Sequence, residues 1–300
     1  MNIARSIGEV RSAIDQARAE GLRIALVPTM GFLHEGHLSL VDLARNHGAG
    51  FIVTSIFVNP LQFGQGEDFN RYPRDEARDS ALLEDRGVDL LFLPEPQALL
   101  PRGTATTVHM EGVALPLEGA RRPGHFDGVA TIVLKLFHIV RPDFAVFGQK
   151  DAQQCAVIQQ MVRDFDLPVQ IEIGETRREP DGLALSSRNA YLSADERRVA
   201  VALSRALAAG RSALEQNVRE AALIERAMRD VAISYGEIEI DYLRLVDPLT
   251  VEEPADFDRE LLLVGALRVG STRLIDNIPS SIPSSEDLQP VATATERTNP

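Results

Sequence analysis

The sequence predicts an α/β fold, an open parallel sheet flanked by helices with a smaller α+β unit after it, and three observations carry that expectation. Residues 24–27 (IALV) and 51–58 (FIVTSIFV) are apolar, β-branched or aromatic runs that bracket apolar residues at helical spacing, Leu40, Val41 and Ala44. Two strands joined through a helix run parallel. Further short apolar runs at 88–93, 144–147 and 169–174 alternate with helical patterns, and beyond a boundary near Thr176 the order changes to helices followed by strands. Open parallel sheets bind ligands beyond the C-terminal ends of their strands, so the residues just past each run are the first candidates for function.

Composition narrows the function classes. Three hundred residues suffice for one large or two ordinary units with substantial cores, and 44% hydrophobic with 25% charged residues is ordinary for a globular protein. A formal charge of −13 argues against a surface built for nucleic-acid backbones, which requires clustered Lys and Arg. No apolar run has the length of a bilayer-crossing helix, and the opening MNIARSIGEVR lacks the apolar core of a signal peptide, so a cytoplasmic location is expected. The single cysteine, Cys155, has no internal partner and reads as a small core residue.

Residues 5–20 place Ile7, Val10, Ile14 and Ala17 on one face, with Gly21 as a stop, predicting a cover helix. In the 24–27 strand, Pro28 removes a backbone donor and is expected to end the run. Gly31 and Gly36 then bracket a turn that carries His34 and His37 to the start of the next helix. Unpaired N–H groups and the positive end of the helix dipole suit phosphate oxygens there, and an imidazole adds a donor that can follow developing charge; a plain capping role for either histidine is the alternative. Past the 51–58 run come Asn59 and Gln62. The Gln62 amide can both donate to a carboxylate and accept from a hydroxyl, whereas Asn59 also fits as a turn residue before Pro60. Asp79 follows on a predicted helix, where an acidic residue either supports a metal or is simply solvated.

After the 88–93 strand, Glu118, Arg121, Arg122 and His125 precede a buried helix marked by Val129, Val133, Leu136 and Val140. Such a cluster suits an anion, or forms a surface Glu–Arg pair. Lys150 stands immediately past the 144–147 strand, in Gly148-Gln149-Lys150-Asp151, where an ammonium group can neutralise phosphate. On the next helix Val157, Ile158, Met161 and Phe165 read as core. Beyond residue 176, Leu185-Ser186-Ser187-Arg188 puts two hydroxyls and a guanidinium in one turn, suited to following a triphosphate or merely capping a helix. Two helical patterns (Val199, Leu203, Ala206 and Leu223, Ala227, Val231) precede strand-like runs at 238–246 and 261–267. The expected organisation is thus 1–176, 177–278 and, from Pro279 onward, a disordered tail at 279–300 rich in Pro, Ser, Thr and Glu.

Strand, Pro-Thr-Met-Gly, His-x-Gly-His and helix, in that order, resemble the HIGH-type signature of adenylate-forming nucleotidyltransferases, and VPTMGFLHEGH resembles the opening motif of the pantothenate synthetase (pantoate–β-alanine ligase) family. SIFVNPLQF, the Tyr72-Pro73-Arg74 segment, LEGARRPGHFDGV, FGQKD, the Ser-Ser-Arg turn and STRLIDN, ending at Asn277, are similar to further family segments, over about nine-tenths of the chain. The resemblance implies a Rossmann-like sheet of the nucleotidyltransferase type, and condensation of pantoate with β-alanine driven by cleavage of ATP to AMP and pyrophosphate. It also implies Mg2+ and a homodimer. By match of position, ATP falls to Met30, Gly31, Phe32, Leu33, His34, Glu35, Gly36 and His37, then Gly148, Gln149, Lys150 and Asp151, then Arg177 through its backbone, and Leu185, Ser186, Ser187 and Arg188. Gln62 and Gln154 match the two glutamines that meet pantoate, joined by Asn59, Arg122 and His125; His37, His34 and Lys150 take the catalytic roles, His37 as proton donor, and Asp79 a metal-supporting one. Gln149 stands where an acid is usual and Ala152 where an aromatic is usual. Two other functions fit the phosphate-binding pattern: transfer of AMP to a phosphate-bearing acceptor, which the neutral Gln62 and Gln154 disfavour, and nucleotide binding without catalysis.

Overall fold

The computed structural model describes residues 1–280. In chain order the elements are β1 (Asn2–Ala4), α1 (Ile7–Ala19), β2 (Ile24–Thr29), α2 (Glu35–Asn46), β3 (Phe51–Ile56), α3 (Glu76–Asp85), β4 (Leu90–Phe92), the single-turn helices α4 (Pro96–Leu99) and α5 (Glu118–Arg121), α6 (His125–Val140), β5 (Phe144–Gly148), α7 (Ala152–Asp164) and β6 (Gln170–Gly174). They continue with α8 (Ala194–Ala200), α9 (Ala202–Glu215), α10 (Ala221–Ile233) and β7 (Glu239–Val246), β8 (Leu262–Val269) and β9 (Thr272–Pro279). Strands β1 to β6 form one parallel sheet in the order β1-β4-β3-β2-β5-β6, and β7-β8-β9 form a separate antiparallel sheet.

The parallel strands read as continuous apolar runs because both faces of the sheet are covered. Ile24 and Leu26 of β2, with Ala145 and Phe147 of β5, pack on α1, α6 and α7 through Val10, Ile14, Leu136, Val140 and Ile158. The alternate residues Ala25, Val27, Phe144 and Val146 face the other way, against Leu38, Val41 and Ala44 of α2 and Leu83 of α3. A third core joins α9 and α10 to the antiparallel sheet through Leu203, Leu207, Ile224, Met228, Leu243, Leu263 and Leu267.

The structure departs from the sequence expectations at several points, each with a local cause. Pro28 does not end β2, which runs on to Thr29. The Thr29 carbonyl accepts from Phe57 N–H on the β3 side, so by alternation Pro28 turns toward β5, whose pairing covers only Ala25 and Leu26. No ladder bond is lost. Phe165 is not core but caps α7 at 54% exposed, because Asp166 at φ 48° turns the chain away there. Leu223 is likewise outward on α10, whose buried stripe is Ala221, Ile224, Met228 and Ala232. The first C-terminal helical pattern is two helices, α8 and α9, meeting at Val201. Two strands lie outside the expected runs: β1 is three residues long, and β9 takes in TRLIDN of STRLIDN and runs on to Pro279. Pro279 closes β9 and Ser280 N–H donates to the Leu261 carbonyl, so the first two residues of the expected tail are paired; the remainder, 281–300, lies outside the described residues.

Candidate active site

Strand order reverses between β2 and β5, and the C-terminal ends of those two strands open into a cleft of about 760 Å³. That is where an open α/β sheet offers loop residues from both of its halves to one ligand. The cleft is bounded on its far side by β9 and by the 176–191 segment.

The turn after β2 is built tightly. Thr29 Oγ1 donates to the Ser55 carbonyl at 2.9 Å and accepts from Gly31 N–H at 3.2 Å. Gly31 has φ 83° and a Cβ there would come within 2.9 Å of Ile56, so glycine is required. Phe32 follows at φ 51°, a conformation unfavourable for a side-chain-bearing residue. It is held by Asp79, which accepts from Phe32 N–H at 2.6 Å and Leu33 N–H at 2.8 Å. Asp79 is only 2% exposed and does not line the cleft. The expectation of a solvated helix face at Asp79 is therefore corrected: its carboxylate is folded into the turn beneath the cleft.

His34 is the N-cap of α2, and its Nδ1 accepts from Gly36 N–H at 3.1 Å, while His37 Nδ1 accepts from His34 N–H at 3.3 Å. The rings lie 4.0 Å apart. Capping engages Nδ1 and leaves Nε2 of each ring uncommitted. Burial pulls the His34 pKa down to about 4, helped by the charge of Lys150, and burial and the neighbouring His34 push His37 well below 6.5. Two neutral rings whose Nδ1 atoms accept must carry hydrogen on Nε2. The pair therefore offers two preset N–H donors, and burial disfavours the imidazolium form of His37.

Across the cleft, β5 delivers Gly148, Lys150 and Asp151, with the Lys150 ammonium half-buried and 3.5 Å from Asp151. The third element is the turn that ends in Ser187–Tyr191. Ser186 Oγ accepts from Arg188 N–H at 3.2 Å, and Ser187 Oγ donates to the Phe32 carbonyl at 3.2 Å, tying this turn to the histidine turn. Leu185 N–H donates to the Arg177 carbonyl, so Arg177 contributes its backbone to this hairpin while lining the cleft.

The cleft is also lined by the glutamines. Asn59 caps its turn by accepting from Leu61 N–H and donates to Gln62 Oε1 at 3.0 Å and to the Gly128 carbonyl at 2.9 Å; at 3% exposed it orients Gln62 from behind. Gln62 also donates to Met30 Sδ at 3.1 Å, and Gln154 lines the same cavity from α7. His125 Nδ1–H donates to the Gln62 carbonyl at 2.8 Å while Nε2 faces Arg122 at 3.2 Å, an arrangement that needs neutral His125; burial and Arg122 push its pKa down to about 4. Met30, Gly36, His34, His37, Gln62, Asn59, Arg122, His125, Lys150, Gln154, Arg177 and the 185–188 turn thus line one cavity. Gly31, Phe32, Leu33, Glu35, Gln149 and Asp79 do not line it.

Glu67, Asp68, Tyr242 and Arg273, which organise these residues, carry no mark of that role in the sequence, and the Glu118 carboxylate pairs with none of its expected neighbours. Arg122 is paired with Glu67 (2.9 and 2.6 Å) and Arg188 with Asp68 (3.0 and 3.0 Å), two carboxylates from the loop after Gln62. Glu118 accepts two bonds from Arg273 at 2.7 Å each and one from Tyr242 OH, which fastens α5 to the antiparallel sheet. In the sequence such partners are ordinary polar residues, because nothing local marks a pair separated by 55 or more positions.

The family model described as "Pantoate-beta-alanine ligase" matches residues 2–279. The chain is 48% identical over 279 residues to pantothenate synthetase of Herpetosiphon aurantiacus (93% of this chain, 99% of that protein) and 50% identical over 278 residues to that of Moorella thermoacetica (93% and 98%). Its structure is similar to pantothenate synthetase from Thermus thermophilus, with TM-score 0.87 at 46% identity over 93% of this chain and 99% of that one. It is also similar to pantoate-beta-alanine ligase from Francisella tularensis complexed with beta-gamma ATP and beta-alanine, with TM-score 0.77 at 31% identity over 95% and 100%. Match of the family model over nearly the whole described chain, together with relatives at this identity and coverage, means that the chain belongs to the pantoate-beta-alanine ligase family.

Proposed function

We propose that this ligase joins pantoate to β-alanine in two steps, with ATP cleaved to AMP and pyrophosphate and a pantoyl-adenylate formed between them. The observation that carries the proposal is that His34, His37, Lys150 and Ser186 to Arg188 line one cleft together with Gln62 and Gln154. In the first step a pantoate carboxylate oxygen attacks the α-phosphorus of ATP, and the bond to pyrophosphate breaks as the new one forms. Charge moves onto the leaving pyrophosphate. The Nε2–H groups of the two histidines, the Lys150 ammonium and the Arg188 guanidinium meet that charge, a contribution made by positioning and electrostatics with no protein nucleophile. In the second step the free amine of β-alanine attacks the acyl carbon, AMP leaves with the bonding pair, and the amine proton passes to solvent.

Arg122 and Gln62 hold pantoate in this scheme, and Asn59 and His125 keep Gln62 in place. Magnesium enters as the counter-ion of ATP: the described residues contain no group of three acidic, histidine or cysteine side chains that would hold a metal, and the Asp79 oxygens are bound to backbone N–H groups. Protein groups therefore do not fit a magnesium cage, and neither step is routed through the metal. We further propose a homodimer, to be checked by sedimentation, and a cytoplasmic location; no helix among the described residues is long and apolar enough to cross a membrane. The deciding experiment measures pyrophosphate release from ATP with pantoate, with and without β-alanine. Release that becomes sustained turnover to AMP and pantothenate only with β-alanine is expected. No pantoate-dependent release would overturn the proposal.

A further inference from the structure

Lys150 lies in a single helical turn, Gln149–Asp151, directly after β5, and what fixes that turn comes from the far end of the chain. The Asn277 side-chain amide on β9 donates to the Gln149 carbonyl at 2.8 Å and to the Lys150 carbonyl at 3.0 Å, while its oxygen accepts from Gln149 Nε2 at 3.2 Å. A carboxamide is able to do this because it carries two donors and an acceptor on one planar group. Asn277 is 3% exposed, and its own N–H donates to Asp276 Oδ1 at 2.8 Å. Asp276 in turn is buried and gripped by both Arg178 terminal nitrogens at 2.6 and 2.9 Å.

Arg178 also donates to the Asn277 and Gly182 carbonyls and pairs through its backbone with Ala184, immediately before Leu185-Ser186-Ser187-Arg188. Two successive residues of β9 thus hold two separate elements of the cleft. Asp276 holds the hairpin that presents the serines and Arg188, and Asn277 holds the turn that presents Lys150. We propose that Asn277 is a positioning residue for Lys150, setting the lysine against the Ser-Ser-Arg turn through the adjoining Asp276–Arg178 pair. The inference rests on the proposed role of Lys150 at the leaving pyrophosphate. Displacement of a charge-stabilising group by about 1 Å is enough to cost ~100-fold in rate, so the ring of three amide bonds has kinetic weight.

The test is a double-variant cycle read by single-turnover, pantoate-dependent pyrophosphate release, with melting temperature recorded for each protein. Asn277→Asp is isosteric but cannot supply both donors, so it and Asn277→Ala are each expected to slow adenylation by ~10-fold or more, with the pantoate KM within about twofold of the parent. In a Lys150→Ala background Asn277→Ala should add less than about a twofold further loss, because the group it positions is already gone. A folded Asn277→Asp protein with parental adenylation, or effects that multiply in the double variant, would overturn the inference. If Lys150→Ala alone leaves adenylation intact, the role assigned to Lys150 falls and the positioning role with it; if Lys150→Ala is impaired and Asn277→Asp is not, only the positioning role falls. Should the Asn277 variants fail to fold, Gln149→Leu opens the same ring from its less buried side. It is expected to slow adenylation severalfold and without additivity to Lys150→Ala, and a parental rate or full additivity overturns the inference.

Discussion

Replacing Asp79 by alanine removes the acceptor for two backbone N–H groups, those of Phe32 at 2.6 Å and Leu33 at 2.8 Å, beneath the histidine turn. Each buried N–H left unpaired costs about 1–3 kcal/mol, so the pair implies a loss of about 2–6 kcal/mol. For a chain of this length that corresponds to a fall of roughly 4–12 °C in melting temperature. Asp79→Asn keeps one acceptor but turns an amide nitrogen toward the second N–H, and should fall nearer to alanine than to the parent. Because Phe32 sits at φ 51° and its carbonyl receives Ser187 Oγ–H, loss of the anchor should also slow adenylation. Urea unfolding and single-turnover pyrophosphate release measure the two effects. An Asp79→Ala protein whose stability lies within about 1 kcal/mol of the parent, but whose activity needs more magnesium, would refute the anchoring argument and restore a metal-supporting role.

Three further outcomes follow from the site. His37→Ala and Lys150→Ala should each lower adenylation by a factor on the order of a hundred or more, comparable to removing one transition-state donor, and near-parental single-turnover release by a folded variant would remove that residue from its role. Gly128→Ala places a Cβ within 2.3 Å of the Leu61 carbonyl and 2.7 Å of Gln62 N, so the Gln62 segment must move. The pantoate KM should rise well beyond any change in the ATP KM, and equal changes in both would contradict the assignment of Gln62. His125 has its pKa pushed from 6.5 down to about 4, so the folded state resists the protonation that the unfolded chain accepts. Its contribution to stability is complete above pH 6.5 and is lost as pH falls toward about 4. Urea midpoints should drop across that window, and His125→Gln should flatten the drop; parallel profiles would show that another group governs it.

How much of this is legible in the sequence depends on whether the determining contact is local. Strands β2, β3 and β5 announce themselves because both faces of the sheet are buried, which leaves uninterrupted apolar runs. Their ends direct attention to His34, His37, Gln62 and Lys150, and the structure brings these into one cavity. Phe165 and Leu223 depart from expectation because spacing identifies a helical stripe without saying where the helix stops or which edge of the stripe meets the core. Asp79, Asn277 and Glu118 act through partners 46 to 155 residues away, and no window of sequence contains both members of such a pair.

The loop after Gln62 supplies carboxylates to two arginines of the cleft, Glu67 to Arg122 and Asp68 to Arg188. On a protein of formal charge −13, this means that an incoming anion meets little long-range attraction: these positive charges are already neutralised at contact distance. Capture then depends on exchanging one anion for another at each guanidinium, and the encounter rate should respond weakly to ionic strength. Such a cleft should discriminate by how well a ligand replaces two resident carboxylates instead of by how strongly the surface draws charge from a distance.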